Sequence, residues 1–307
     1  MQHRLLNSKK FSYIAMSLVV LVWGYEYVVA KSVLLVFSPL TLVFMKFLLG
    51  FCMISILKTI LDRRFFLRKK DIPLLFLCAL VGELIYFACE YEAMDHLPVS
   101  VITIVLAFIP AVSVITEYFL FKTKANFMII FGIVASIVGV ALVIGGDISA
   151  FLSGGAIGYL LIFAAVFSWN IYNFMTKGLT RTYKPLDLTM YQTFCTALLS
   201  LPFIIHNCPP PDQWTFSIWT GLLFIGAISE GVGFVIYVNA IHVIGPTPCS
   251  VYSNMLPVAT TIFGWILLGE HIGPVQIAGG IIVMASGFVV IWQKGKLDDR
   301  KLRESGK

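Results

Sequence analysis

The 307-residue chain is 59% hydrophobic and only 12% charged, with a formal net charge of +6 at pH 7. Its mean hydropathy of +0.90 is far too high for a soluble domain of this length, so the composition predicts a membrane protein. Period-2 strand patterns with short turns are missing, which argues against an outer-membrane barrel.

Ten apolar segments follow one another, each of about the length that crosses roughly 30 Å of hydrocarbon as a helix. They cover residues 11–31, 41–59, 72–94, 99–121, 127–144, 156–177, 188–205, 218–241, 246–268 and 274–292. The first segment is long and contains Glu26, so we interpret it as an uncleaved span. The predicted fold class is an all-α membrane protein with ten transmembrane helices.

The second half of the chain repeats the first. Trp23 and Pro39 match Trp169 and Pro185 at an offset of about 146 residues. After one residue of slippage the matches continue: Glu83 with Glu230, Phe87 with Phe234, Ala93 with Ala240, Pro110 with Pro257 and Gly132 with Gly279. We therefore predict two five-helix repeats and two terminal segments, at residues 11–148 and 149–293, and at 1–10 and 294–307.

The positions of the basic residues indicate the orientation of the chain. Of the 22 Lys and Arg residues, 20 lie before span 1, after span 10, or in the joints that follow spans 2, 4 and 6. By the positive-inside rule these segments and both termini face the cytoplasm. Five is an odd number, so the second repeat starts on the opposite face and the repeats are inverted, as in many transporters. The basic charge therefore needs no nucleic-acid partner.

Other motif classes are missing from the chain. The six cysteines are scattered without CxxC spacing, so neither a disulfide framework nor a metal site is predicted, and nothing indicates a cofactor. Sequons for N-glycosylation are also missing, which is compatible with the inner membrane of a prokaryotic cell. Without His-Glu-x-x-His, Gly-x-Ser-x-Gly or paired Asp residues on a span, an enzyme is not expected.

A set of motif residues lies in order along each half: Trp23, Gly24, Lys31, Pro39, Ala93, Pro110 and Gly132, then Trp169, Lys177, Pro185, Ala240, Pro257, Leu267 to Glu270, Gly279 and Gly280. The first half lacks the Gly269-Glu270 pair and has Lys122 and Thr123 in its place. Through the motif residues nearly the whole chain resembles the drug/metabolite transporter superfamily, and within it the ten-span EamA-type permeases. The resemblance implies a secondary transporter with alternating access and a central cavity formed mainly by spans 1, 3, 4, 6, 8 and 9. Glu26 and Lys46 depart from the family's usual residues, so the resemblance does not identify the substrate.

Two carboxylates lie near the middle of their spans, Glu83 in span 3 and Glu230 in span 8. An ionised group at mid-bilayer costs about 2.5 to 3.5 kcal/mol on insertion scales, so both should face a cavity. Two carboxylates in one cavity repel, and one should hold a proton unless a cation lies between them. We therefore predict that Glu83 and Glu230 bind a positively charged substrate or a coupled proton. The alternative is that both are protonated structural acids.

Three further charges, Glu26, Lys46 and Glu90, lie together in the outward half when residues are counted along the spans. Lys46 can neutralise either acid, and a structural ion pair between Lys46 and Glu90 is expected. Glu26 is then a third candidate ligand. By the same count, Lys46 lies too far outward to pair with Glu83 or Glu230.

Aromatic residues accompany these acids. Tyr25, Tyr86 and Trp169 are predicted to form walls of the cavity, because carboxylates beside aromatic rings suit an organic cation. Packing and interface anchoring are the alternative for all three rings.

Polar residues and prolines complete the predicted site. Asn170, Tyr252 and Asn254 are expected to contact substrate, with hydrogen bonds between helices as the alternative for the asparagines. Pro110 and Pro257 each remove one backbone hydrogen bond in the middle of spans 4 and 9, so they predict helix breaks that bend the span or line the path.

These observations predict a secondary transporter of small organic cations or amines, choline-like or polyamine-like, that works in a lipid bilayer with protons as a candidate coupling ion. One alternative is an exporter of neutral or zwitterionic metabolites such as amino acids, in which the acids are structural. Another is a passive channel, against which the inverted repeats and proline-broken helices argue.

Overall fold

A computed structural model of the chain describes residues 9–122, 126–145, 155–179, 182–244, 252 and 254–304. Every regular element in these ranges is a helix. Helices suit this sequence because lipid offers no hydrogen-bond partners and a helix satisfies its backbone groups internally. The predicted all-α membrane fold is confirmed.

The first repeat contains five spans. Spans 1 and 2 are unbroken helices, Lys9–Val33 and Pro39–Leu61. After a 3₁₀ turn at Lys69–Asp71, span 3 consists of Ile72–Cys78, a π-helical stretch Ala79–Ile85 and Tyr86–Ala93. Span 4 is divided into Val99–Leu106 and Ile109–Phe121, and span 5 is Phe127–Gly145.

The second repeat follows the same plan. Spans 6 and 7 are Ala156–Leu179 and Pro185–Asn207. After a 3₁₀ turn at Pro211–Gln213, span 8 consists of Phe216–Leu223, a π-helical stretch Phe224–Gly233 and Phe234–Ile244. The described part of span 9 is Leu256–Leu268, and span 10 is Pro274–Glu304.

The number of spans agrees with the sequence. Within the described ranges, nine helices are long and apolar enough to cross a membrane, and Leu256–Leu268 is a shorter apolar helix. This helix is the second part of span 9, which was expected at residues 246–268; residues 245–251 and 253 lie outside the described part of the chain. Ten spans in two five-helix repeats are therefore confirmed.

Spans 5 and 10 pack against each other through small residues. A Cβ atom added at Gly279 would lie 2.6 Å from the carbonyl oxygen of Gly139, and one added at Gly139 would lie 2.8 Å from that of Gly279. The two backbones thus approach too closely for any other residue type, the packing that glycines permit between membrane helices. Both helices also pack against span 4.

One end of the bundle, predicted to face outward, is held by Glu270. Its carboxylate accepts hydrogen bonds from the backbone N–H of Val99 at 2.8 Å and from the hydroxyl of Ser100 at 2.8 Å, and it pairs with Lys31 at 3.3 Å. An acidic side chain at a helix start satisfies free N–H groups and complements the helix dipole. Glu270 therefore joins the end of span 9 to the start of span 4 and to the end of span 1.

The opposite end, predicted to be cytoplasmic, is joined by ion pairs. Lys58 Nζ lies 2.5 Å from Asp187 Oδ1 and 3.3 Å from Asp62 Oδ2, and Lys184 Nζ lies 2.7 Å from Asp62 Oδ2. Hydrogen bonds from the Lys184 ammonium and the Arg64 N–H hold the pKa of the Asp62 carboxyl below its usual range. These contacts join the end of span 2 to the start of span 7.

Candidate functional site

Glu83 and Glu230 both project from π-helical stretches, Ala79–Ile85 and Phe224–Gly233. A π-helix is rare, occurs mostly as a short insertion within an α-helix, and is frequent at functional sites. Its wider turn changes the direction in which the following side chains point. The π-helices were not predicted from the sequence, where the available signal was a glycine beside each acid, Gly82 and Gly231.

Lys46 lies between two of the central acids. Its Nζ atom is 2.5 Å from Glu26 Oε1 and 3.5 Å from Glu230 Oε2. All three residues are buried, with 2%, 7% and 5% of Lys46, Glu26 and Glu230 exposed. Glu26 also accepts hydrogen bonds from the hydroxyl of Tyr91 at 3.3 Å and from that of Ser229. Buried charges need such partners because the protein interior does not replace their hydration.

The contact between Lys46 and Glu230 depends on the close approach of spans 2 and 8. A Cβ atom added at Gly226 would lie 2.5 Å from Leu49 Cβ and 3.0 Å from the carbonyl oxygen of Lys46. One added at Gly50 would lie 2.7 Å from Glu230 Cγ. Glycine at both positions therefore leaves the space in which the two charged side chains meet.

The expectation that Lys46 cannot reach Glu230 was wrong, and of the two acids that the sequence offered as its partner, Glu26 and Glu90, the structure pairs it with Glu26. Residue counting placed it too far outward to reach Glu230, but the flexible four-carbon stem of a lysine carries its ammonium group away from the level of its Cα atom. Glu90 also has different partners from those expected, because its Oε1 accepts hydrogen bonds from Tyr27 at 2.6 Å and Tyr86 at 2.8 Å. The structure pairs Lys46 with Glu26 instead of Glu90.

Glu83 has a different environment from Glu230. It is only 5% exposed, and its Oε2 is hydrogen-bonded to the hydroxyl of Thr196 on span 7. Among the described residues, no basic side chain lies within ion-pair distance of its carboxyl group. The two matched acids are therefore placed in similar backbone settings but receive different partners.

Aromatic rings lie beside the charges. The ring centroids of Tyr86 on span 3 and Trp169 on span 6 are 5.0 Å apart, so these two predicted wall residues are in contact. The Trp169 ring also lies 5.1 Å from that of Tyr172. The ammonium group of Lys46 lies 4.0 Å from the centre of the Phe87 ring, a distance at which the ring face attracts a cation. Tyr25 does not join them: it is 37% exposed and packs against other rings, Phe224 and Phe263.

The three predicted polar contacts lie between helices. Asn170 on span 6 accepts a hydrogen bond from Ser113 on span 4 and donates to the Val166 carbonyl at 2.8 Å. Asn254 donates to the Met284 carbonyl on span 10 at 2.8 Å. Tyr252 packs against Tyr13 of span 1, with 6.2 Å between ring centroids. These contacts describe a role in holding helices together, the alternative that the sequence left open for the asparagines.

Both prolines lie at the start of a helix that resumes after a break. Span 4 is interrupted at residues 107–108, and Pro110 occupies the first turn of Ile109–Phe121. In span 9, residues 254–255 form a turn and Pro257 occupies the first turn of Leu256–Leu268. Proline suits this position because the first turn of a helix has free N–H groups in any case. The breaks lie where the sequence predicts them.

The described residues contain no group of three or more His, Cys, Asp or Glu side chains that could hold a metal ion. The central charges are buried, with Glu90 and Lys46 only 3% and 2% exposed. One ammonium group lies within 3.5 Å of two carboxylates, so the site offers partners for both signs of charge.

The sequence profile of the EamA-like transporter family matches the chain twice, at residues 10–145 and 156–292. Each match covers one of the two predicted five-helix units. The exact limits predicted for these units, 11–148 and 149–293, stay predictions.

Several curated proteins are similar to the chain over most of its length. An uncharacterized transporter, YoaV, from Bacillus subtilis is 22% identical over 88% of this chain and 93% of its own. A "probable amino-acid metabolite efflux pump" from Salmonella typhimurium is 25% identical over 93% and 96%. A "probable terminal-alkyne amino-acid exporter" from Streptantibioticus cattleyicolor is 22% identical over 73% and 74%.

A solved crystal structure also resembles the fold. It superposes with a TM-score of 0.66 at 16% sequence identity and covers 92% of this chain and 98% of its own. At this identity the likeness concerns the arrangement of helices alone.

Proposed function

The chain belongs to the EamA-like transporter family, and on that premise we propose that it exports small amino-acid-like zwitterions. The substrate binds at the centre of the bundle, with its carboxylate at Lys46 and its amino group at the acids around it. Spans 1, 2 and 8 supply Glu26, Lys46 and Glu230 for this purpose. The multi-pass membrane fold and the transporter role follow from the family; the substrate class and the direction are proposed.

The observation that supports this proposal is the buried ammonium group beside two carboxylates. Lys46 Nζ lies 2.5 Å from Glu26 and 3.5 Å from Glu230. The longer contact, with Glu230, is the one that a substrate carboxylate can replace. A zwitterion can enter this arrangement by giving its carboxylate to Lys46 and its ammonium group to Glu230. Every charge then keeps a partner, which limits the cost of holding charges away from water.

The names of the relatives support the same class of substrate. Two of them are described as exporters of amino acids or amino-acid metabolites. Both match most of this chain, 93% and 73% of it, so a related cargo is expected. The direction of transport is proposed from the same names.

An organic cation, the first prediction from the sequence, has one observation in its favour. Four central acids, Glu26, Glu83, Glu90 and Glu230, outnumber the single central lysine, and aromatic rings stand beside them. However, the Lys46 ammonium already lies over the Phe87 ring, where a cationic substrate would otherwise be expected. A second cation at this point would be repelled, whereas a zwitterion brings a carboxylate with it.

Counterflow in proteoliposomes tests the proposal. The purified protein is reconstituted into vesicles loaded in turn with an unlabelled amino acid, choline or a polyamine, and the exchange of the same labelled compound is measured. Zwitterionic amino acids should exchange in a saturable manner, and Lys46→Gln should abolish the exchange. The Tyr25→Phe variant changes a ring away from the centre and serves as the matched control. Exchange of choline or polyamine alone would support the cation prediction and overturn this one.

A further inference from the structure

The four central carboxylates differ in the hydrogen-bond donors that face them. Glu26 receives three donors, and Glu90 receives two phenol groups. Glu230 lies beside a lysine ammonium group. Glu83, in contrast, faces a single donor among the described side chains, the hydroxyl of Thr196. It is therefore the central acid whose negative charge is least compensated.

Even that one donor is shared. The Thr196 hydroxyl lies 3.1 Å from the Gln192 carbonyl oxygen as well as beside Glu83 Oε2. In the same helix, the hydroxyls of Thr193 and Ser200 lie 2.7 Å and 2.6 Å from the carbonyl oxygens four residues earlier, a common habit of such residues in helices. A hydroxyl group has one proton to donate. If Thr196 donates it to Gln192, the hydrogen bond to Glu83 must use a proton that Glu83 holds.

We infer that Glu83 is the site at which a proton binds during the transport cycle, and that one proton is exchanged for one substrate molecule. Glu230 stays ionised beside Lys46 and serves the substrate. The inference deepens the proposed function and rests on it, because exchange requires a transported substrate. The inference therefore gives different roles to two acids that occupy equivalent positions in the sequence repeat.

Several other groups face Glu83 from the surrounding spans and contribute to its titration. Glu230 on span 8 and Lys46 on span 2 act at a distance with opposite sign. The remaining titratable neighbours are neutral at physiological pH and lie on spans 6, 7 and 3: Tyr172, Cys195 and Cys78. A proton on Glu83 removes the repulsion between its carboxylate and that of Glu230.

The proton step balances without any co-reactant. A carboxylate oxygen of Glu83 takes a proton from the aqueous solution when the centre opens to the acidic side. The Thr196 hydroxyl, which donates to Glu83 Oε2 while that carboxylate is ionised, then donates to the Gln192 carbonyl and accepts from the new O–H group. The proton returns to water when the centre opens to the other side, and the substrate moves in the opposite direction. Since the zwitterion has no net charge, each cycle moves one positive charge in the direction of the proton.

Accumulation driven by a pH gradient tests the inference. Vesicles with an acidic lumen are prepared, the membrane potential is clamped, and labelled amino acid uptake is compared between wild type, Glu83→Gln and Glu230→Gln. For one proton per substrate, a gradient of one pH unit drives about tenfold accumulation. Wild type should reach this value, and Glu83→Gln should keep counterflow within about twofold but show no accumulation. Glu230→Gln should instead raise the half-saturation concentration about tenfold or more.

The outcomes separate the inference from the proposed function. Wild-type counterflow of amino acids with no response to the gradient, or gradient-driven accumulation by Glu83→Gln, would overturn the inference and leave the zwitterion proposal intact. If wild type exchanges only organic cations, the proposed function fails, and the same variants are compared with that cargo. Loss of the gradient response in Glu83→Gln would then still support a proton site at Glu83.

A second variant covers the case in which Glu83→Gln does not yield folded protein. Glu83→Asp retains a titratable carboxyl group, so it should keep gradient-driven accumulation with a changed pH dependence. A pH-sensitive dye measures proton movement directly, and addition of amino acid to wild-type vesicles should move protons in the opposite direction. Amino acid exchange by wild type without any proton movement would overturn the inference by itself.

Discussion

Glu83 and Glu230 occupy matched positions in the two repeats, and both project from π-helices, yet their partners differ. At the register of the repeat, Lys46 and Gly50 on span 2 correspond to Gln192 and Thr196 on span 7. Span 2 presents an ammonium group to Glu230, whereas span 7 presents a hydroxyl group to Glu83.

The duplication determines the backbone around each acid. Both halves repeat the π-helix that carries the acid and the inverted packing of a second span against it. The chemistry of the site comes from the positions at which the copies have diverged. A symmetric scaffold can thus hold one acid that is paired with a cation and one that is free to exchange a proton.

The largest effect is expected from Lys46→Gln, which gives span 2 the residue type of span 7 and makes the two settings alike. Glu26 and Glu230 would then be buried without a cation. Removal of one partner from a buried ion pair typically costs about 3–5 kcal/mol, so thermal unfolding in detergent should occur at much lower temperature, and transport should be lost.

A double variant controls for this effect. Lys46→Gln combined with Glu26→Gln removes both charges of the short pair and should recover part of the lost stability without recovering transport. If Lys46→Gln alone unfolds at the wild-type temperature and transports amino acids, Lys46 does not form the pairs on which the comparison depends.

A second prediction concerns the two tyrosines whose hydroxyl groups donate hydrogen bonds to the Glu90 carboxyl group. Tyr27→Phe and Tyr86→Phe each remove one hydrogen bond to a buried carboxyl group, and bonds to charged groups contribute about 1.5–3 kcal/mol. Both variants should therefore lower the unfolding temperature. Tyr25→Phe, which removes the hydroxyl of a ring at the surface, should change the free energy of unfolding by less than about 0.5 kcal/mol. Equal effects at all three positions would contradict the assigned role of Glu90's partners.

The third prediction tests the close helix contacts on which each acid depends. A Cβ atom at Gly226 would meet Leu49 Cβ at 2.5 Å, and one at Gly82 would lie 2.0 Å from the ring of Tyr172. Overpacking of this kind typically costs about 1–3 kcal/mol, so Gly226→Ala and Gly82→Ala should both destabilise the protein. Gly226→Ala should also raise the half-saturation concentration, because it separates Lys46 from Glu230.

Gly178 offers a matched control, because a Cβ atom there would have no described atom within 4 Å. Gly178→Ala should be neutral or stabilising by about 0.5–1 kcal/mol, the usual gain from replacing glycine in a helix. If Gly178→Ala and Gly226→Ala lowered the stability of the protein equally, the loss in Gly226→Ala could not be attributed to the packing of spans 2 and 8 around Lys46.

The smallest effect is expected at the ion pairs of the predicted cytoplasmic end, where Lys184 is well exposed. The hydrogen bond from Lys184 lowers the pKa of Asp62, so its stabilising contribution is present at neutral pH and fades as the pH falls below the ordinary range of an aspartate. Lys184→Ala should lower the unfolding temperature slightly at pH 7, and the difference from wild type should be smaller at pH 3. The absence of any difference at pH 7, where Asp62 is ionised in the folded and the unfolded chain, would contradict this assignment.

The sequence was a good guide to the scaffold. Apolar segment lengths predicted the ten spans, and the spacing of Trp23, Pro39, Pro110 and their counterparts predicted the repeat, because lipid leaves a helix few alternatives. The matched acids were found from the same register. Tyr86 contacts Glu90, four residues away on the same helix face, and the ring of Trp169 packs against Tyr86.

The partners of the charges could not be predicted in the same way. Counting residues along straight helices gives the level of a Cα atom, but it gives neither the reach of the Lys46 side chain nor the change of direction caused by a π-helix. It therefore paired Lys46 with Glu90 and missed Glu230. The two phenol groups at Glu90 come from different spans, and no periodicity within one segment predicts such a contact.

Binding of three related ligands tests the central claim most directly: an amino acid, the amine that lacks its carboxylate, and the carboxylic acid that lacks its amino group. Their affinities for the wild-type protein are measured at neutral pH by isothermal titration in detergent. Since the claim assigns one partner to each charge, the amino acid should bind at least about tenfold more tightly than either analogue, a difference of about 1.4 kcal/mol or more. Binding of the amine as tight as that of the amino acid would contradict the claim, because Lys46 would then contribute nothing to recognition.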